Sequence, residues 1–128
     1  MIVNKSTVPI GSGDWVRMIV MDGIAERQKV LVTAGGTSSS ETFLDKLPKF
    51  DIVSNPEFLH EGSAVYDTFN PDRIVLGSNN PKAIAMMEQL YAPIVERKFA
   101  ADSSLPPVPV VVTDISSAEM IKYAANAF

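Results

Sequence analysis

The chain has 128 residues, enough for one domain or a large part of one, and a 46% apolar composition gives it the material for a core. A net charge of −4 excludes the basic footprint of a nucleic-acid binder, and no apolar run nears the roughly 18 residues of a membrane helix. Cysteine is absent, which excludes disulfides, a thiolate metal site and a cysteine nucleophile within these residues. The start, Met1-Ile2-Val3-Asn4-Lys5, has no apolar leader run, so a soluble, cytoplasmic α/β domain is expected.

In chain order, Ile2 to Lys5 reads as a strand. Pro9, Gly11 and Gly13 then stop any regular element. Trp15, Met18, Ile19 and Ala25 fall at helical spacing, predicting a helix over 14–27 with one apolar face. Lys29 to Ala34 is β-branched enough for a short strand. Residues 35–40 read as a flexible loop and 41–47 as a short helix stopped by Pro48. Phe50 to Ser54 and Arg73 to Gly77 are strand candidates, the first broken by Asn55-Pro56. Asn80 as cap and Pro81 in the first turn open a helix expected to reach Lys98. Met86, Met87, Leu90 and Tyr91 are most simply its core face.

Residues 103–109, with three prolines, connect to Val110–Thr113, which reads as a buried-type strand. The last helix begins with what looks like a capping box, Ser116 with Glu119, flanked by a staple of Ile115 and Met120. It is still in helical pattern at Phe128, and both ends of the chain read as cut through elements. Strands alternating with helices predict right-handed crossovers and a mostly parallel sheet.

In such sheets ligands bind beyond the carboxyl ends of the strands. Three polar clusters are expected there: Ser6-Thr7, Asn55-Pro56-Glu57 and Thr113-Asp114. Glu57 and Glu61 are four apart. They are either two solvated acids or a pair able to hold a water and shift each other's pKa. Lys122 and Asn126, also four apart, are by spacing alone the polar stripe of an amphipathic helix. His60 has no second ligand at metal spacing. Gly35-Gly36 lacks both the P-loop lysine and the spacing of a dinucleotide fingerprint.

Four stretches together carry a resemblance. They are Asn4-Lys5-Ser6-Thr7-Val8-Pro9-Ile10-Gly11, Ser54-Asn55-Pro56-Glu57-Phe58-Leu59-His60-Glu61-Gly62-Ser63-Ala64, Asn70-Pro71-Asp72-Arg73-Ile74-Val75-Leu76-Gly77 and Ser117 to Phe128. In this order they resemble the UDP-glucose and GDP-mannose dehydrogenases, and most of all the UDP-glucose branch. The resemblance implies the second half of a Rossmann-like NAD-binding domain over 1–114, with 115–128 starting the long helix that joins the two halves of the subunit, NAD as cofactor, a UDP-sugar oxidised twice to the acid, and a homo-oligomeric parent.

By resemblance, Thr7 lies beside the nicotinamide and helps hold a catalytic water, with Ser6 next to it. Glu57 does general acid–base work, and Glu61 sits near cofactor and water. Lys122 steadies developing oxyanions with Asn126 as companion, and Phe58 and Leu59 line the substrate loop. Three departures stand out: no glycine fingerprint for the pyrophosphate, no cysteine to attack the aldehyde, and His60 where relatives often carry arginine. A GDP-mannose or UDP-N-acetyl-sugar dehydrogenase, or a non-catalytic module derived from such an enzyme, is the alternative.

Overall fold

Four short apolar runs form one sheet, in a computed structural model that describes residues 1–33, 49–99 and 105–127. The strands are β1 (Ile2–Asn4), β2 (Ile52–Ser54), β3 (Ile74–Gly77) and β4 (Val110–Thr113), in spatial order β1-β2-β3-β4. The helices are α1 (Ser12–Thr33), α2 (Ala64–Phe69), α3 (Pro81–Val95) and α4 (Ile115–Ala127). The chain divides into two units, Met1–Gly13 with Asp51–Phe128, and Asp14–Phe50.

In the first unit, β1 and β2 are parallel, as are β3 and β4, and β2 and β3 join antiparallel through a single pair, Ser54 with Gly77. The sheet is therefore mostly parallel, but its direction reverses in the middle. The core is Val53, Ile74, Leu76, Ala83, Ile84, Met87 and Val108, with Val3, Tyr91 and Ile94 packed against it. β2 and β3 are buried throughout. Of the predicted α3 face, Met87 is buried and Tyr91 packs on the core, whereas Met86 and Leu90 are exposed.

Asn80 caps α3 as predicted, accepting from the Lys82 amide at 2.9 Å, with Pro81 in the first turn. The helix ends at Val95 rather than Lys98, because Arg97 takes a positive φ of 51° that no α-helix can continue. β4 is not the buried strand its valines predict: Val111 and Val112 are exposed. The capping box of α4 does not form either. Asp114 is the cap, accepting from the Ser117 amide at 2.8 Å and the Ser117 hydroxyl at 2.6 Å. These two bonds favour the charged form and lower the Asp114 pKa. Met120 is exposed, so it makes no staple.

In the second unit, α1 continues to Thr33 through the stretch predicted as a strand at Lys29. Helix propagation adds one hydrogen bond per residue, and the three β-branched residues Val30, Val32 and Thr33 do not outweigh it. Trp15, Met18 and Ile19 are exposed rather than a covered face, and the Arg17 guanidinium lies 5.5 Å from the Phe50 ring centroid. The predicted loop at 35–40 and helix at 41–47 lie outside the described residues.

Candidate functional site

Because β1 and β2 run parallel, their carboxyl ends deliver Ser6-Thr7 and Asn55-Pro56-Glu57 to the same edge of the sheet. Thr113-Asp114 does not join them. The reversal between β2 and β3 puts the carboxyl end of β4 at the opposite edge. What returns to the first edge is α4, which Asp114 caps and which carries Lys122 back to the loop after β2. The Lys122 ammonium donates to the Glu57 carbonyl oxygen and lies 3.7 Å from the Glu57 carboxylate. Only 8% of Lys122 is exposed. An ammonium so withdrawn from water needs charged and polar partners, and Glu57 supplies both.

The loop itself is held from within. The Glu57 carboxylate accepts from the Leu59 amide at 2.9 Å. Phe58 lies under two cations, the Arg73 guanidinium at 4.6 Å and the Lys122 ammonium at 5.1 Å from its centroid. The His60 amide and ring nitrogen Nδ1 both meet the Asp67 carboxylate, at 2.7 and 2.9 Å. The backbone bond from His60, then its side-chain bond, lower the Asp67 pKa. Glu61 lies in an exposed turn rather than on a helix shared with Glu57, so the two acids are not a face-sharing pair. Asn126 is exposed on α4, one turn beyond Lys122, and Ser6 and Thr7 are exposed just after β1. Thus Glu57, Phe58 and Lys122 touch one another, while Asn126, Glu61, Ser6 and Thr7 stand open.

A buried polar knot at the same edge has no counterpart in the sequence reading. Asn55, 2% exposed, donates to the Val75 carbonyl at 2.9 Å and accepts from Tyr91 Oη at 2.5 Å and Lys5 Nζ at 3.0 Å. Its amide also extends the β1–β2 ladder to the Asn4 carbonyl. The signal available was the Asn-Pro step directly after a strand, where an asparagine satisfies neighbouring backbone. Lys5, Asn55, Glu57, Phe58, Arg73 and Tyr91 help line a cavity of about 350 Å³ at this edge.

Residues 1–95 match the family model described as the UDP-glucose/GDP-mannose dehydrogenase family, NAD binding domain. The chain belongs to this family. The UDP-glucose 6-dehydrogenase TuaD of Bacillus subtilis is 45% identical over 127 residues, which is 99% of this chain and 21% of TuaD. The UDP-glucose 6-dehydrogenase AglM of Haloferax volcanii is 53% identical over 78 residues, 61% of this chain and 16% of AglM. Among solved structures, a UDP-glucose dehydrogenase from Pyrobaculum islandicum aligns with a TM-score of 0.62 at 36% identity, covering 98% of this chain and 22% of that one. A ternary complex of GDP-mannose dehydrogenase from Pseudomonas aeruginosa aligns at TM-score 0.63 but 23% identity, and covers 98% of this chain and 22% of that one. That second alignment shows the Rossmann-like fold alone. The chain spans about a fifth of the length of TuaD and of YwqF, a second UDP-glucose 6-dehydrogenase of Bacillus subtilis.

The family domain is an NAD-binding one, and the residues present suit one end of that cofactor. Exposed hydroxyls at Ser6 and Thr7, on the carboxyl edge of a parallel strand pair, suit a neutral hydrogen-bonding group such as a carboxamide. The sequence contains no glycine fingerprint for a pyrophosphate. Among the described residues no cluster of acids and histidine could hold a metal ion, and no helix is long and apolar enough to cross a membrane.

Proposed function

We propose that these residues are part of an NAD-dependent dehydrogenase that oxidises the primary alcohol of UDP-glucose twice, to UDP-glucuronate. The observation that supports it best is the meeting of Lys122 with Glu57 across 65 residues of sequence, at the carboxyl edge of β1 and β2. A fixed ammonium beside a carboxylate suits the removal of a proton from an alcohol whose oxygen gains negative charge as it reacts. In this reading Lys122 and Asn126 hold that oxygen, and Glu57 exchanges the proton. Phe58 and Leu59 seat the sugar nucleotide, Thr7 orients a water, and Ser6 and Glu61 face the cofactor. NAD, when bound, supplies a hydride acceptor. The second oxidation requires a thiol nucleophile, which this chain does not contain. The reading includes a cytoplasmic location and a homo-oligomeric parent.

A hybrid tests it. The matching segment of the Bacillus subtilis relative is replaced by this chain, correct folding is checked by circular dichroism, and reduced cofactor is followed by absorbance. The expected result is UDP-glucose-dependent turnover, two NAD reduced per sugar nucleotide, with the 128-residue chain alone giving no signal above blank. A folded hybrid that reduces NAD only with GDP-mannose or a UDP-N-acetyl sugar would move the assignment to those substrates. A folded hybrid inert with all three would leave the non-catalytic module.

A further inference from the structure

Glu119 is 2% exposed and is not used by the chemistry above. Its carboxylate accepts two backbone N–H groups from one segment, Gly11 at 2.7 Å and Gly13 at 2.9 Å. That segment is the return of the loop that carries Ser6 and Thr7. It is stiffened by Pro9, whose carbonyl takes both the amide and the hydroxyl of Ser12. Gly11 has a φ of +90°, a backbone conformation that favours glycine, and a Cβ at Gly13 would stand 2.6 Å from Ile115 Cγ2, so at Gly13 the chain is pressed against α4 with no room for a side chain. Glu119 lies three residues before Lys122 on the same helix. One rigid element therefore holds both halves of the edge: Lys122 reaches the Glu57 loop, and Glu119 reaches the Thr7 loop.

We infer that Glu119 is a positioning residue, fixing the Ser6–Thr7 loop in register with Lys122 for the reaction proposed above. Each amide meets a different oxygen, an arrangement only a carboxylate serves; a carboxamide placed the same way presents one oxygen and one N–H, and the N–H meets a second donor head on. The inference rests on the proposed function for its consequence in catalysis, but not for the tether itself.

Hydrogen exchange on the 128-residue chain reads the tether. In Glu119→Gln, protection at Gly11 and Gly13 should fall by on the order of tenfold or more, while the amides of Val53, Val75 and Leu76 keep theirs. Where Glu119→Gln does not fold, Glu119→Asp, one methylene too short to span both amides, is read in the same way. In the hybrid enzyme the same change should lower kcat about a hundredfold with KM for the sugar nucleotide nearly unchanged, because misplacement by an ångström acts on reaction geometry rather than on binding. Unchanged protection at Gly11 and Gly13, or an equal loss throughout the sheet, would overturn the inference. So would normal kcat in the mutant hybrid. A hybrid inactive with Glu119 intact would sink the proposed function, and the exchange data would still decide whether Glu119 is a tether.

Discussion

The Lys122 ammonium sits where its loss can be separated from a change of surface charge. Its partners are a backbone carbonyl, a carboxylate and the Phe58 ring, and almost none of the side chain meets water. A donor fixed in a poorly hydrated site stabilises an oxyanion more in the transition state than in the ground state, so it acts on turnover. Lys122→Ala in the hybrid enzyme is expected to lower kcat by about a hundredfold to a thousandfold with little change in KM, as removal of one such donor generally does. Asn126→Ala should act in the same direction but less, since its amide carries no full charge and stands exposed. Lys122→Met, which keeps the apolar stem, separates lost charge from lost packing. Steady-state kinetics on the three variants checks this, and near-normal turnover in both lysine variants would detach α4 from the chemistry.

At the scale of elements, the end of β3 fits closely against the start of α4. A Cβ on Gly77 would stand 2.5 Å from Ala118 Cβ, 2.7 Å from the Asp114 carbonyl oxygen and 3.1 Å from Ile115 Cα. Two of these are backbone atoms that cannot swing aside, so Gly77→Ala should destabilise by about 1–3 kcal/mol, read as a lower urea midpoint with unchanged slope. The sequence showed the strands and the Asn80-Pro81 helix start well, because those signals are local. It could not show that β3 runs against β2, since direction is a property of the partner and not of the run. It misassigned Glu119 for the same reason: a Ser-x-x-Glu spacing says which local bond is available, whereas the buried carboxylate is taken by amides more than a hundred residues away. Lys29 to Thr33 failed from the other side, a weak strand preference yielding to a helix already running. The candidate residues were legible through resemblance. The Lys122–Glu57 contact was not, because it requires α4 to cross back over the reversed sheet.

On the scale of the molecule, the sheet as described has β1 at one edge and β4 at the other, each paired on one side only. The two edges differ in chemistry. β1 is partly buried, and its end is engaged by Asn55. β4 presents Val111 and Val112 at 40% and 50% exposure, with no charged residue from Val110 to Thr113. An apolar, uncharged edge is a template for another strand, and natural edges usually carry a lysine, a proline or a bulge to prevent this. The 128-residue chain should therefore self-associate at tens of micromolar, giving a light-scattering mass above that of one copy. If β4 is the surface responsible, Val112→Lys should return the chain to monomer without altering its circular dichroism, because the side chain is already half exposed and its replacement disturbs no core contact. A lysine placed instead at Val65, the most exposed large apolar residue of α2 at 75%, removes hydrophobic surface without touching a strand edge and should leave association unchanged. A monomer at that concentration in the unmutated chain would show that the valine edge is covered within one molecule. Association that survives Val112→Lys but not Val65→Lys would move the interface from the sheet to the helix.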